Sequence, residues 1–144
     1  MPVNTMNAKS NKILIVDDDE LILSCLERLL SRRFNLELAL GPERALESVN
    51  TLGPYAVVLT DMRMPGMNGI DLLKRVHHLS PATVGLLLSG NASADDFKES
   101  IDAKVVFRVI QKPFELDEVA GILHEALELY HRHLQRNSGT DPEF

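Results

Sequence analysis

Apolar and polar positions fall along this chain in two kinds of block. Three short runs, Ile13 to Val16, Tyr55 to Thr60 and Val84 to Ser89, are almost continuously apolar. Such runs read as strands buried on both faces. Phe34 to Leu40 differs, because Asn35 and Glu37 alternate with Leu36, Leu38 and Leu40. One wet face marks an edge strand. Val105 to Gln111, interrupted by Arg108, reads as the other edge.

Between the strands the apolar spacing changes to three and four. Asp19 to Arg33 carries Ile22, Cys25, Leu26, Leu29 and Leu30 on one expected stripe, with Cys25 as a core thiol. Pro42 to Val49, Asn68 to His78 and Asp117 to Leu134 read as further helices. Ala92 to Asp102 is the weakest, with only Ala94, Phe97 and Ile101 as apolar anchors. The last helix shows a core stripe of Val119, Leu123, Leu127 and Tyr130 and a second set, Ile122, Ala126 and Leu129, beside it. Strands alternating with helices through short loops predict an α/β fold: an open five-stranded parallel sheet, doubly wound by five helices.

Composition narrows the function. The 144 residues are one domain's worth of chain, and 44% hydrophobic with 25% charged is ordinary for a folded protein. Residues 1–11 read as a flexible tail, 12–134 as the domain, and 135–144 as a disordered tail, a linker or a cloning remnant. The net charge of −6 with no basic block argues against direct nucleic-acid binding. No apolar run is long enough to span a membrane, residues 1–11 lack the apolar stretch of a signal peptide, and a single cysteine suits the reducing cytoplasm. The five histidines form no metal set and read as solvated surface groups.

The chemistry lies at the strand ends, where open parallel sheets bind ligands. Asp17, Asp18, Asp19 and Glu20 follow the first strand, Asp61-Met62-Arg63-Met64-Pro65-Gly66 the third, Ser89-Gly90-Asn91 the fourth, and Lys112-Pro113-Phe114 the fifth. Asp19 and Glu20 suit helix capping. Asp17, Asp18 and Asp61 would repel one another unless a cation joins them, and oxygen-only ligands suit Mg²⁺. A cis Lys112–Pro113 bond would fix the aim of the lysine. Met62, Met64 and Met67 are expected to pack the loop after Asp61.

Jointly, Ile13-Leu14-Ile15-Val16-Asp17-Asp18-Asp19, Asp61-Met62-Arg63-Met64-Pro65-Gly66-Met67-Asn68-Gly69, Leu87-Leu88-Ser89-Gly90 and Lys112-Pro113-Phe114 resemble the receiver domain of bacterial two-component response regulators. The resemblance covers roughly Lys12 to Leu127. It implies a flavodoxin-like fold of strand order 2-1-3-4-5 and a phosphorylation switch rather than an enzyme acting on other substrates. It implies that Asp61 is the phosphoacceptor, served by a sensor histidine kinase or a phosphotransfer protein. By the same resemblance Asp17, Asp18, Asp61 and the backbone carbonyl of Arg63 would hold Mg²⁺ (or Mn²⁺), while Ser89 and Lys112 would bind the phosphoryl group.

The chain departs from the family pattern at Val109, where an aromatic residue usually acts as a conformational reporter. Phe107, expected on the same strand face, is the candidate substitute. Arg63 and Asn91 are expected at the mouth of the site, where they would modulate hydrolysis. The Asp61 segment and Phe107-Arg108 are similar to receivers attached to HD-GYP phosphodiesterases, with no output domain in these residues. A homodimer through the last two helices is a further expectation. Two other readings stay open at this point. Asp17-x-Asp19 after an apolar strand is similar to the nucleophile motif of haloacid-dehalogenase-like phosphatases, and an interaction module could retain a vestigial site.

Overall fold

Buried apolar runs place the strands side by side, the first four helices each close one crossover between them, and the fifth packs back on the sheet after the last strand. The computed structural model describes residues 10–90 and 97–137. In chain order the elements are β1 (Lys12–Asp17), α1 (Glu20–Leu30), β2 (Asn35–Leu40), α2 (Pro42–Leu52), β3 (Val57–Asp61), α3 (Gly69–Leu79), β4 (Val84–Ser89), α4 (Lys98–Asp102), β5 (Arg108–Gln111) and α5 (Leu116–Asn137). The five strands form one sheet in the order β2-β1-β3-β4-β5, every pairing parallel. This is the expected flavodoxin-like arrangement, and β2 and β5 are the expected edges.

Alternate residues of each strand point to opposite faces, so the sheet feeds two cores. Ile13, Ile15, Val57, Leu59, Leu86, Leu88 and Ile110 pack under α1 and α5. Leu14, Val16, Val58 and Leu87 pack under α2 and α3, joined by Phe97 and Val106. The inner strands β1, β3 and β4 are almost wholly buried, as their continuous apolar runs require.

At the amino ends of the strands a polar cluster ties the edge to the centre. The Tyr55 hydroxyl donates to Glu37, and Lys12 Nζ lies 3.7 Å from the same carboxylate and 4.7 Å from the Tyr55 ring centroid. Burial, then the Glu37 carboxylate, pushes the Tyr55 hydroxyl pKa up, so the tyrosine stays a donor.

Several expectations need correction. The buried face of α1 is Leu23, Leu26 and Leu30, whereas Ile22, Cys25 and Leu29 are exposed. Cys25 is therefore not a core thiol. Leu23 replaces Ile22 because the helix is rotated to set Leu23, Leu26 and Leu30 at steps of three and four over β1 and β2. On α5, Ala126 is fully buried and Leu127 only partly, so the inner stripe is Val119, Leu123, Ala126 and Tyr130. β5 begins at Arg108, because the Val105 and Val106 N–H groups donate to the Ser100 carbonyl rather than to a strand. Three histidines are not merely solvated. His133 Nδ1–H donates to the Ala82 carbonyl at 3.0 Å, His124 stacks on Phe34 at 4.8 Å, and half-buried His131 lies against Tyr130. The last helix continues through Asn137, past the boundary expected after Leu134. Of the expected helix from Ala92 to Asp102, residues 92–96 lie outside the described residues.

Candidate functional site

Each strand of a parallel sheet ends on the same side, so the residues following β1, β3, β4 and β5 share one rim. Asp17 closes β1 and Asp61 closes β3; they are 3% and 7% exposed, unusual burial for carboxylates. Asp18 stands beside them, exposed. One oxygen from each of Asp17, Asp18 and Asp61 can be chosen so that all three lie within 4.8 Å of one another. Three oxygen donors at that spacing fit a hard divalent cation, which tolerates carboxylates and keeps water in its remaining positions.

The local sequence builds this arrangement. Asp19 Oδ1 accepts from Leu21 N–H at 2.9 Å and caps α1. The Asp19 N–H in turn donates to Asp17 Oδ1 at 3.0 Å, which orients that carboxylate. Burial is the largest influence on Asp17 and raises its pKa to about 6. The charge of Asp61 and a hydrogen bond with Asp18 push the same way, against the Asp19 N–H and the Lys112 ammonium. A bare acidic trio is thus electrostatically unfavourable, which is the condition a cation relieves.

Asp61 is held from two sides. Lys112 Nζ forms an ion pair with Asp61 Oδ1, and the Arg63 N–H donates to Oδ2 at 3.0 Å. The Lys112–Pro113 peptide bond is cis, the isomer that most X-Pro bonds do not adopt. The Lys112 N–H donates to the Ser89 carbonyl at 2.9 Å, tying the end of β5 to that of β4. Ser89 is buried and lies one residue beyond Leu88, the β4 partner of Asp61.

The structure therefore brings together Asp17, Asp18, Asp61 and Lys112, with Ser89 at the adjacent strand end. The side chain of Arg63 is exposed beside them. Val109 packs with the core under α2 and α3, whereas Phe107 packs with the one under α1 and α5. Phe107 precedes the strand and faces the other side, so it does not replace an aromatic ring at Val109. Asn91 lies outside the described residues. The three methionines after Asp61 do pack the loop: Met64 is buried, and Met62 and Met67 rest on the same core.

One supporting residue went unread at the sequence level. A Cβ on Gly69 would stand 2.4 Å from the Asp61 carbonyl oxygen and 2.7 Å from Leu87 Cδ1. The Gly69 N–H donates to the Met62 carbonyl at 2.8 Å, so α3 starts against the backbone of the acidic rim. The signal was the glycine after the Asn68 cap, whose side chain accepts from Asp71 N–H. Only the approach of β3 shows that a side chain is forbidden there.

With this geometry in place, the comparisons are informative. The model of the response regulator receiver domain matches residues 13–124. The chain belongs to that family, whose general function is a phosphorylation switch in two-component signalling. The hydrogenase transcriptional regulatory protein HoxA of Bradyrhizobium diazoefficiens is 30% identical over 89% of this chain, which spans 26% of that protein. The chain thus covers about a quarter of the length of the curated relatives it matches first. A solved structure described as adenylate cyclase from Rhodopirellula baltica superposes with a TM-score of 0.85 at 29% identity, covering 90% of this chain and 96% of that one. The signal receiver domain of an HD domain-containing protein from Pseudomonas fluorescens gives 0.76 at 31% identity, covering 84% and 97%. Among the described residues no helix is long and apolar enough to cross a membrane.

Proposed function

We propose that this chain is a phospho-acceptor switch in which Asp61 takes a phosphoryl group from a phosphohistidine of a sensor histidine kinase or phosphotransfer protein in the cytoplasm. The observation that carries the reading is a buried Asp61 carboxylate paired with Lys112 and clustered with Asp17 and Asp18. An Asp61 oxygen attacks phosphorus, the O–P bond forms as the N–P bond breaks, and the departing histidine nitrogen keeps the electron pair and takes a proton. Asp17, Asp18, Asp61 and the Arg63 carbonyl hold Mg²⁺ (or Mn²⁺), which supplies positive charge against the phosphoryl oxygens. Lys112 transfers its ion pair from the carboxylate to the new phosphoryl group, and Ser89 donates its hydroxyl to it. Arg63 and, by the family resemblance, Asn91 act on the water that later hydrolyses the acyl phosphate. The chain then acts chemically only on its own aspartate.

Acetyl phosphate tests this reading without a cognate kinase. The chain is expected to label only with a divalent ion, and Asp61→Asn to abolish labelling. Labelling of that variant, or labelling in excess chelator, overturns the assignment. Labelling at Asp17 instead is the phosphatase outcome, against which stands the exposed Asp19, engaged as a helix cap and not part of the carboxylate cluster.

The output is a matter of proposal as well. A receiver similar to that of an HD domain-containing protein supports an HD-type partner. Val109 carries no ring to flip, so the signal travels by backbone movement of β5 and of the short α4 to the face of α4 and α5. With Mg²⁺ and beryllofluoride as a phosphoryl mimic, sedimentation is expected to show self-association through these two helices. An unchanged monomer removes this part of the reading.

A further inference from the structure

The opposite end of the sheet carries a cleft away from the acidic rim. A cleft of about 740 Å³ opens where β4 and β5 begin, between the ends of α3, α4 and α5. Its cationic lining is Lys104, Arg132 and Arg136, joined by His77 and His133. No acidic residue lines it among the described residues, although the chain has 21 acidic residues against 15 lysines and arginines. Lys104, Arg132 and Arg136 form no ion pair among the described residues, so no neighbouring carboxylate neutralises them.

Helix-end complementation accounts for one basic group at the close of each helix. It does not account for cations from two separate segments, the end of α4 and the last turns of α5, converging on one cleft. Lys104 follows α4 with φ of 66°, a left-handed conformation that favours glycine, yet a lysine stands there. His133 is oriented by its Nδ1–H bond to Ala82, which leaves Nε2 as its free ring nitrogen. Between the cations the lining is apolar: Val84, Val106, Phe107 and Leu129. Charged walls around an apolar floor call for a ligand that is anionic at one end and flat and apolar at the other. Three permanent positive charges match a diphosphate group.

We propose that this cleft binds a nucleoside diphosphate, with the phosphates against Lys104, Arg132 and Arg136 and the base over Phe107 and Leu129. The site is distant from Asp61. Val84 and Ser89 are five strand steps apart, roughly 16 Å at about 3.3 Å per residue.

Calorimetric titration of the full chain with ADP in excess EDTA tests the proposal, because without a divalent ion the acidic rim repels anions. One saturable site is expected, weakened about tenfold or more by Arg132→Gln with Arg136→Gln, and similarly by Lys104→Gln. Arg28→Gln with Arg32→Gln, on and just after α1, should leave it unchanged. Pyrophosphate should bind about tenfold more weakly than ADP, since it lacks the ring. The Arg132 and Arg136 side chains are exposed, so these variants should fold, and circular dichroism checks that they do. No saturation at millimolar ADP, ADP affinity unchanged in both cleft variants, or pyrophosphate binding as tightly as ADP overturns the proposal.

Discussion

Single side chains at the rim have separable duties. In the proposed switch Lys112 supplies charge to Asp61 and no oxygen to the cation, whereas the exposed Asp18 would supply an oxygen. Gly69 contributes neither, but its missing Cβ lets α3 begin against the Asp61 carbonyl. Gly69→Ala is therefore expected to destabilise the fold by about 1–3 kcal/mol, as overpacking against backbone does, and to slow phosphorylation by displacing the rim. Urea unfolding and acetyl phosphate labelling measure the two effects. A neutral Gly69→Ala would mean that α3 shifts freely, contrary to the contact with backbone on one side and Leu87 on the other.

At the scale of the element, α1 separates two apolar faces that its sequence does not distinguish. Leu26 is 3% exposed and packs on the sheet, whereas Leu29 is 43% exposed and Leu21 79%. Leu26→Ala should cost about 2–5 kcal/mol through lost burial and the cavity left behind. Leu29→Ala should cost less, about 1 kcal/mol, since 43% of its surface stays in water and no enclosed cavity is left. Equal losses in urea melts would restore the face predicted from spacing alone. The outward set of Leu21, Ile22, Cys25 and Leu29 also explains why the helix pattern misled: its apolar residues are more numerous than the core can cover.

The whole molecule couples the rim to stability through mass action. A ligand that binds only the folded state stabilises it by about 2.7 kcal/mol at a hundred times its dissociation constant. Mg²⁺ should therefore raise the melting temperature of the chain in a concentration-dependent way. Asp18→Asn should reduce that shift, while Lys112→Ala, which removes no oxygen donor, should keep it. Thermal scans across a Mg²⁺ series decide. A shift lost in Lys112→Ala but retained in Asp18→Asn would make the lysine a structural support of the acidic cluster and remove Asp18 from the cation site.

Period and punctuation marked an open five-stranded parallel sheet and its two edges, and the family resemblance supplied the strand order. Continuous runs at Ile13, Tyr55 and Val84 could only be buried on two faces, the alternating run at Phe34 only on one, and the polar residues that end each strand lie on one rim because parallel strands finish together. Asp17, Asp18, Asp61, Ser89 and Lys112 were legible for that reason. Tertiary packing decided what local pattern leaves degenerate: which of two apolar faces α1 buries, that Phe107 and Val109 belong to different cores, and that Gly69 meets the Asp61 backbone. It also decided the basic cleft, because Lys104 after α4 and the Arg132 and Arg136 pair on α5 meet only through packing. Spacing along one element constrains only that element, and a site built from several is set by how they pack against one another.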